Sequence, residues 1–119
     1  MKLAVVGSRG FDNYQLLCKY LDEINPGMIV SGGAIGADYL SQKWAKERGK
    51  AALIFYPDWK NLGKSAGFIR NEHIIINSDK VIAFWDGKSK GTKNSIDKAE
   101  SLGKELKIVY YEEEKQGSY

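Results

Sequence analysis

Three polar loops that contain glycine, each directly after a short apolar run, hold most of the residues that could bind an anion. The first is Gly7-Ser8-Arg9-Gly10, and the others cover residues 31–38 and 86–92. The Arg9 guanidinium can hold a phosphate through two parallel N–H bonds, and Ser8 can add a hydroxyl. The alternatives are a solvated loop arginine and a serine that only caps the turn.

The second loop carries Gly32, Gly33 and Gly36 directly before a predicted helix. Glycine lets the backbone come close to a ligand, and a helix N-terminus offers free N–H groups and the positive end of its dipole. Asp38 falls in the first turn of this helix, where it is a candidate acid or base or merely offsets the dipole. The glycines could also serve only to make a tight turn. Gly36 favours the ligand loop, because glycine inside a helix costs about 1 kcal/mol relative to alanine.

A lysine, an arginine and an asparagine follow on the third predicted helix. Gly63-Lys64-Ser65 matches the end of a P-loop, but the glycine required five residues before Gly63 is Asp58, so we reject a Walker site. Lys64 and Arg70 lie about two helical turns apart, and Asn71 follows Arg70. This polar set either forms a solvated face or points into the site, and the pattern leaves both open.

The third loop is basic and leads into another predicted helix. Gly91 and Thr92 stand at the start of that helix, with Thr92 as the predicted N-cap of a second anion-receiving N-terminus. Asp86, at the end of the preceding strand, could bind a ribose hydroxyl, act as a general acid or base, or cap the loop. The alternative is a flexible charged loop before a well-capped helix.

The remaining chemistry-bearing residues point to few sites. His73 has no second ligand at metal-binding spacing and is interpreted as structural, so no metal site is predicted. Cys18 is interpreted as a buried, inert thiol. Trp59 and Trp85 could stack a nucleobase or belong to the core, whereas Trp44, at helical spacing, is predicted to be core.

Apolar runs and helical patterns alternate as βαβαβαβαβ, which predicts an α/β domain. We expect a single Rossmann-like, three-layer domain with a five-stranded parallel sheet in the order 3-2-1-4-5 and helices on both faces. The ligand should bind beyond the carboxyl ends of the strands, at the switch point. The predicted strands cover residues 2–6, 28–30, 51–56, 81–85 and 106–110.

The helix boundaries and buried faces are predicted from caps and from spacing. Asp12 is the predicted N-cap of the first helix, and the third helix should run over residues 64–77. The apolar residues assigned to the buried sides of the third and fourth helices are Phe68, Ile69, Ile75, Ile76, Ile96, Ala99 and Leu102. We expect the domain to cover residues 1–110 and residues 111–119 to form a polar, frayed tail.

The composition sets the broad class. A chain of 119 residues is the size of one domain, and 43% hydrophobic and 28% charged residues argue against disorder. The net charge of +3 permits an anionic ligand but is low for a nucleic-acid binder, so nucleic acid is predicted to be an unlikely partner. One cysteine fits a reducing compartment, and no apolar run reaches the roughly 20 residues of a membrane helix. The predicted location is cytoplasmic.

The order and spacing of several motifs resemble the SLOG superfamily, which groups the DNA-processing protein DprA with the Lonely Guy cytokinin-activating phosphoribohydrolases. The resemblance covers residues 2–108 and is strongest to the small stand-alone YspA-type proteins of bacteria and phages. The motifs that carry it are Gly7-Ser8-Arg9, Ser31-Gly32-Gly33-Ala34, Gly36-Ala37-Asp38, Pro57-Asp58-Trp59, Arg70-Asn71 and Gly91-Thr92.

The resemblance implies a Rossmann-like fold that binds nucleotides or nucleotide-derived ligands. It assigns ligand contacts to the first and second loops, to Arg70 and Asn71 on the third helix, and to Gly91 and Thr92. One departure concerns catalysis: Lonely Guy enzymes carry a catalytic glutamate where this chain has Ser95. The residues expected to contact the ligand are Gly7, Ser8, Arg9, Gly32, Gly33, Gly36, Asp38, Lys64, Arg70, Asn71, Gly91 and Thr92.

Three functions follow in order of preference. The first is a module that binds a nucleotide or an NAD- or ADP-ribose-like ligand and requires no cofactor. The second is a hydrolase of N-glycosidic bonds, with Asp38 or Asp86 as the acid or base. The third is a single-stranded nucleic-acid binder of the DprA type. A homodimer or larger homo-oligomer is compatible with each.

Overall fold

The computed structural model describes residues 1–112, and its elements alternate between strand and helix along the chain. A 3-10 turn, Gly63–Ser65, joins the third and fourth helices. The strands are β1 (Lys2–Gly7), β2 (Met28–Ser31), β3 (Ala51–Ile54), β4 (Lys80–Trp85) and β5 (Glu105–Tyr110), and the helices are α1 (Tyr14–Ile24), α2 (Ala37–Arg48), α3 (Trp59–Leu62), α4 (Ala66–Ile76) and α5 (Lys90–Ser101).

The strands form one parallel sheet in the order β3-β2-β1-β4-β5, which confirms the predicted α/β topology. The central strand β1 is buried on both sides. Leu3 and Val5 belong to one core cluster, and Ala4 and Val6 belong to the other. This is why β1 reads as a continuous apolar run rather than as an alternating one.

Each face of the sheet is covered by a pair of helices. On one face, Leu17 and Leu21 of α1 pack with Trp44 of α2, and Trp44 is fully buried as predicted. On the other face, Ile74 of α4 packs with Ile96 of α5. The carboxyl ends of β1 and β4 therefore open between two helix layers, at the point where the strand order reverses.

Two predicted helix caps are wrong by one and three residues. The N-cap of α1 is Asn13 and not Asp12, because the Asn13 side chain accepts the N–H of Leu16 at 3.0 Å. The N-cap of α5 is Ser89 and not Thr92: Ser89 Oγ accepts the N–H of Thr92 at 3.4 Å, and Thr92 is buried in the first turn. Both errors come from neighbouring residues that are equally good caps.

The third predicted helix is divided, and its buried face is rotated. Asp58 caps the short helix α3, and Gly63, at φ +56°, ends it before α4 begins. Ile75 is buried as predicted, but Phe68 and Ile76, which the spacing also places in the core, are 54% and 51% exposed, because α4 turns Ile74 inward instead. Leu102, expected on the buried side of α5, is likewise 47% exposed.

Strand β3 lies at one edge of the sheet, and residues 111 and 112 end the described part of the chain. Strand β3 ends at Ile54, two residues earlier than predicted, and its residues are exposed or half-buried because it is an edge strand. Tyr111 packs its ring edge-on against Phe11 at 4.9 Å between centroids. The remainder of the predicted tail, residues 113–119, lies outside the described residues. Within residues 1–112, every helix is too short or too polar to cross a membrane.

Candidate functional site

A cavity of about 450 Å³ opens beyond the carboxyl ends of β1 and β4, at the predicted switch point. Its wall brings together residues from four separate segments of the chain. The residues in this wall that the sequence singled out for ligand contact or catalysis are Gly7, Ser8, Arg9, Asp38, Arg70, Asn71, Asp86, Gly91 and Thr92.

The sequence did not single out the other wall residues individually as ligand contacts. Val6, Ile74 and Ala34 are apolar members of the wall, and the Ala34 N–H is donated to Asp38 Oδ2. Ser89 and Ser95 add hydroxyls on the α5 side, and Gly10 lines the cavity from the loop after β1. Ser89 could have been found as an alternative N-cap, since it lies three residues before Thr92.

Four predicted ligand residues do not line the cavity. Lys64 lies in the exposed 3-10 turn between α3 and α4, away from the cavity wall. The other three are Gly32, Gly33 and Gly36, which shape the second loop without lining the cavity. Any role of these four residues in binding stays a prediction.

Two glycines allow the first and second loops to touch. A Cβ at Gly7 would lie 2.6 Å from the Cβ of Ala37, at the start of α2. Gly36 has φ +83°, and a Cβ there would lie 2.5 Å from the backbone oxygen of Ser8. The chain therefore needs glycine at both positions to bring the backbone of the two loops together.

Asp38 joins the second loop to the cavity wall. Its side chain is almost fully buried, and its Oδ2 accepts the N–H of Ala34 at 3.2 Å. Burial raises the pKa of Asp38 from 3.8 to about 6, although the Ala34 N–H, the Arg70 charge, and hydrogen bonds from Ser31 and Gly32 oppose the rise. The carboxyl group therefore gains or loses its proton near pH 6.

Arg70 and Asn71 link the second loop to the start of α5. Arg70 donates from Nη1 to the Gly32 carbonyl oxygen and from Nε to the Asn71 carboxamide oxygen at 3.0 Å. Asn71 in turn donates from Nδ2 to the Gly91 carbonyl at 3.4 Å and to Asn94 Oδ1 at 3.2 Å. These bonds fix the Arg70 guanidinium in the cavity wall between two loops that are far apart in sequence.

The two arginines at the cavity affect each other. Burial lowers the pKa of Arg70, and the nearby positive charge of Arg9 lowers it further, while Asp38 acts in the opposite direction. Two cationic side chains close enough to repel each other concentrate positive potential at one place. An anion bound between them would relieve this repulsion.

Asp86 shapes the loop that leads to α5. Its Oδ1 accepts the N–H groups of Lys88 and Ser89, both at 2.8 Å. Burial would raise the pKa of Asp86, but these N–H bonds and a bond from the Ser8 hydroxyl outweigh burial and lower it. The carboxylate is thus held ionised and engaged with the backbone, which fits the loop-capping alternative.

The remaining candidates lie outside the cavity wall, and one of them, Trp85, contacts a wall residue. His73 is exposed beside the Phe55 ring, at 5.9 Å between centroids, and Cys18 is half-buried against the core. Trp85 donates from Nε1 to the Ser89 carbonyl at 3.1 Å, whereas Trp59 is exposed. In residues 1–112, no three His, Cys, Asp or Glu side chains lie close enough together to hold a metal ion.

Comparison with known proteins relates this chain to a family. A sequence model of the YspA, cpYpsA-related SLOG family matches residues 1–62, which is more than half of the chain. The Gene 61 protein of Mycobacterium phage D29 is 34% identical over 82 residues, or 64% of this chain and 66% of the phage protein.

A solved structure is similar over nearly the whole chain. DNA processing protein A from Helicobacter pylori, described for its single-stranded DNA binding mode, superposes with a TM-score of 0.66 and 26% identity. The match covers 93% of this chain and 66% of that protein, so the present chain spans about two thirds of each relative. With the family match, the shared fold and the predicted motifs in agreement, the chain belongs to the YspA, cpYpsA-related SLOG family.

Proposed function

We propose that this protein binds a nucleotide or a nucleotide-derived ligand in the switch-point cavity, with a phosphate between Arg9 and Arg70 and near the N-terminus of α5. The observation that carries the proposal is the convergence of two guanidinium groups and a helix N-terminus on one cavity of about 450 Å³. Thr92 and Ser95 add hydroxyls to the same wall.

The magnitudes are sufficient for useful affinity. A hydrogen bond to a charged group contributes about 1.5–3 kcal/mol, and a dissociation constant of 1 μM corresponds to about 8 kcal/mol. Arg70 is held in advance by Gly32 and Asn71, so little of its side-chain entropy is lost on binding. Three or four such bonds therefore support micromolar binding.

A binding role is better supported than hydrolysis of an N-glycosidic bond. Asp86 is engaged by backbone N–H groups, and Ser95 supplies a hydroxyl where a Lonely Guy enzyme would have a carboxylate. Asp38, with a pKa of about 6, is the residue that would act as the acid. Release of free base from nucleoside monophosphates, lost in Asp38→Asn, would support hydrolysis, and an unchanged chromatogram at high protein concentration would exclude it.

Single-stranded nucleic acid is a second candidate ligand. The structural comparison makes the sequence-based expectation against nucleic acid doubtful. The similarity to a protein described for single-stranded DNA binding supports this candidate. Tyr56 and Trp59 are 69% and 56% exposed, and the Tyr56 ring lies over Gly33. Exposed aromatic rings of this kind can stack bases. Absence of any mobility shift with a 20-nucleotide strand at low salt would exclude this candidate.

The main proposal is tested by thermal unfolding with a panel of ligands. Nucleoside monophosphates, ADP-ribose and NAD are each added to wild type, to Arg9→Ala and to Lys46→Ala, which removes one charge from an exposed site on α2. A ligand at a hundredfold excess over its dissociation constant stabilises by about 2.7 kcal/mol, or several degrees at this size. We expect Arg9→Ala alone to lose the shift; equal shifts in all three proteins would contradict the proposed site.

A further inference from the structure

A second cavity, of about 490 Å³, lies between α4 and the loop from β4 to α5. Its wall combines aromatic and basic side chains with the carboxamide of Asn94 and one carboxylate, that of Asp97. Phe68 and Trp85 contribute rings, and Lys88, Lys90 and Lys93 contribute ammonium groups. Among residues 1–112, no aromatic side chain lines the switch-point cavity, so the two cavities differ in chemistry.

The two cavities share a wall. Asn71 lines the first cavity, Asn94 lines the second, and their side chains are hydrogen-bonded at 3.2 Å. The loop before α5 contributes to both in alternation: Ser89 and Gly91 face the first, and the lysines at 88 and 90 face the second. A ligand that extends out of the first cavity past this loop therefore enters the second.

Two of the three lysines in the wall of the second cavity are available to a ligand. Lys93 is paired with Asp97 on the same helix. Within residues 1–112, neither Lys88 nor Lys90 has a carboxylate at ion-pair distance. Two free ammonium groups beside one cavity favour a bound anion such as a phosphate.

The aromatic groups add a flat apolar surface. Phe68 is 54% exposed although the same helix buries Ile74 and Ile75, so its ring is not needed by the core. Trp85 is held by its bond to the Ser89 carbonyl and by Tyr110, whose ring centroid lies 5.7 Å away. Fixed or exposed rings next to ammonium groups suit a nucleobase attached to a phosphate.

We propose that the second cavity binds the second nucleotide of the same ligand. The protein would then be specific for a 5′-phosphorylated dinucleotide, which carries one terminal and one bridging phosphate. The first cavity takes the first nucleotide, with its phosphate between Arg9 and Arg70, and the second cavity takes the phosphate and nucleobase of the second nucleotide. This inference rests on the proposed function, since the first phosphate occupies the site between Arg9 and Arg70.

The test compares two probes by calorimetry: deoxyadenosine monophosphate and the 5′-phosphorylated dinucleotide pdApdA. Removing Lys88 and Lys90 together (Lys88→Ala with Lys90→Ala) should weaken dinucleotide binding at least tenfold and monophosphate binding less than twofold. The matched control removes Lys19 and Lys46 to alanine, two exposed lysines of α1 and α2, and should change neither. Wild type should bind the dinucleotide at least tenfold more tightly than the monophosphate.

Further variants separate this inference from the proposed function. Phe68→Ala should weaken only the dinucleotide, whereas Arg9→Ala should weaken both probes. Equal affinity of wild type for the two probes, or equal weakening of both by the double lysine variant, would overturn the second subsite and leave the first site intact. If neither probe binds to wild type, the proposed function itself fails. A ten-nucleotide strand that binds a further tenfold more tightly than pdApdA would overturn the dinucleotide in favour of a longer strand.

Discussion

The buried carboxyl group of Asp38 should make the protein less stable as the pH rises from about 4 to about 6. Its pKa is about 6 in the folded protein, against an ordinary value of 3.8, chiefly because burial disfavours the ionised form. Between these values the folded protein keeps a proton that the unfolded chain has released, so the free energy of unfolding falls with increasing pH. The difference of about 2 pKa units, at about 1.4 kcal/mol each, amounts to about 3 kcal/mol.

Replacing Asp38 with asparagine removes this titration without removing the oxygen that accepts the Ala34 N–H. Wild type and Asp38→Asn should therefore have similar stability near pH 4, where the wild-type carboxyl group is protonated in the folded state. At pH 7 the variant should be more stable by about 3 kcal/mol, because it carries no buried charge.

The measurement is urea unfolding of both proteins at half-unit steps from pH 4 to pH 7.5. The control is Asp12→Asn, the same chemical change at an exposed position before α1. The difference in unfolding free energy between wild type and Asp38→Asn should grow with pH, and the difference for the control should stay flat. Parallel curves for wild type and Asp38→Asn would refute the reasoning, because they would mean that this carboxyl group costs nothing when it ionises.

Three further predictions concern the fold. Gly36→Ala should lower the free energy of chemical unfolding by about 2–4 kcal/mol, because Gly36 has a positive φ and a Cβ there would clash with backbone. Gly49→Ala should lower it by only about 1 kcal/mol, because Gly49 has a positive φ but open space around it. Ile74→Ala should lower stability by about 2–4 kcal/mol and Phe68→Ala by less than about 0.5 kcal/mol; the reverse order would mean that α4 faces the sheet as the sequence suggested. Trp44→Ala should cost about 3–5 kcal/mol, and a loss below 1 kcal/mol would contradict its place in the core.

The topology could be predicted because it depends on patterns that are local in sequence. The apolar runs around Val5 and Ile82 are continuous, since both strands are buried on two faces, and the intervening helices impose parallel connections. The helix ends could be predicted less well. Ser89 and Thr92 both cap helices readily and lie three residues apart, so composition does not distinguish the cap from the residue whose N–H it accepts.

The residues of the site could be predicted better than their roles. The residue pattern leaves Arg70 open between solvent and site, and only the family resemblance assigns it to the site, because its bond to the Gly32 carbonyl joins positions 38 residues apart and depends on how α4 packs. Asp86 has a suitable type and position for catalysis, yet its carboxylate is used by Lys88 and Ser89 of its own loop. Tertiary packing and local backbone bonds decided these two cases, and neither leaves a trace in residue spacing.

The position of Gly32 explains why an unfavourable buried carboxyl group can persist at this site. A Cβ at Gly32 would lie 2.7 Å from Arg70 Nη1 and 2.9 Å from Asp38 Oδ2, so the absence of a side chain is what lets both charged groups approach the same stretch of backbone. Arg70 then continues through Asn71 to Gly91 at the start of α5. The bonds from Gly32 through Arg70 and Asn71 to Gly91 therefore link the two sides of the cavity. If the proposed ligand binds, a charge at this position that costs stability is expected, because the preorganised cavity then outweighs the stability of the empty fold.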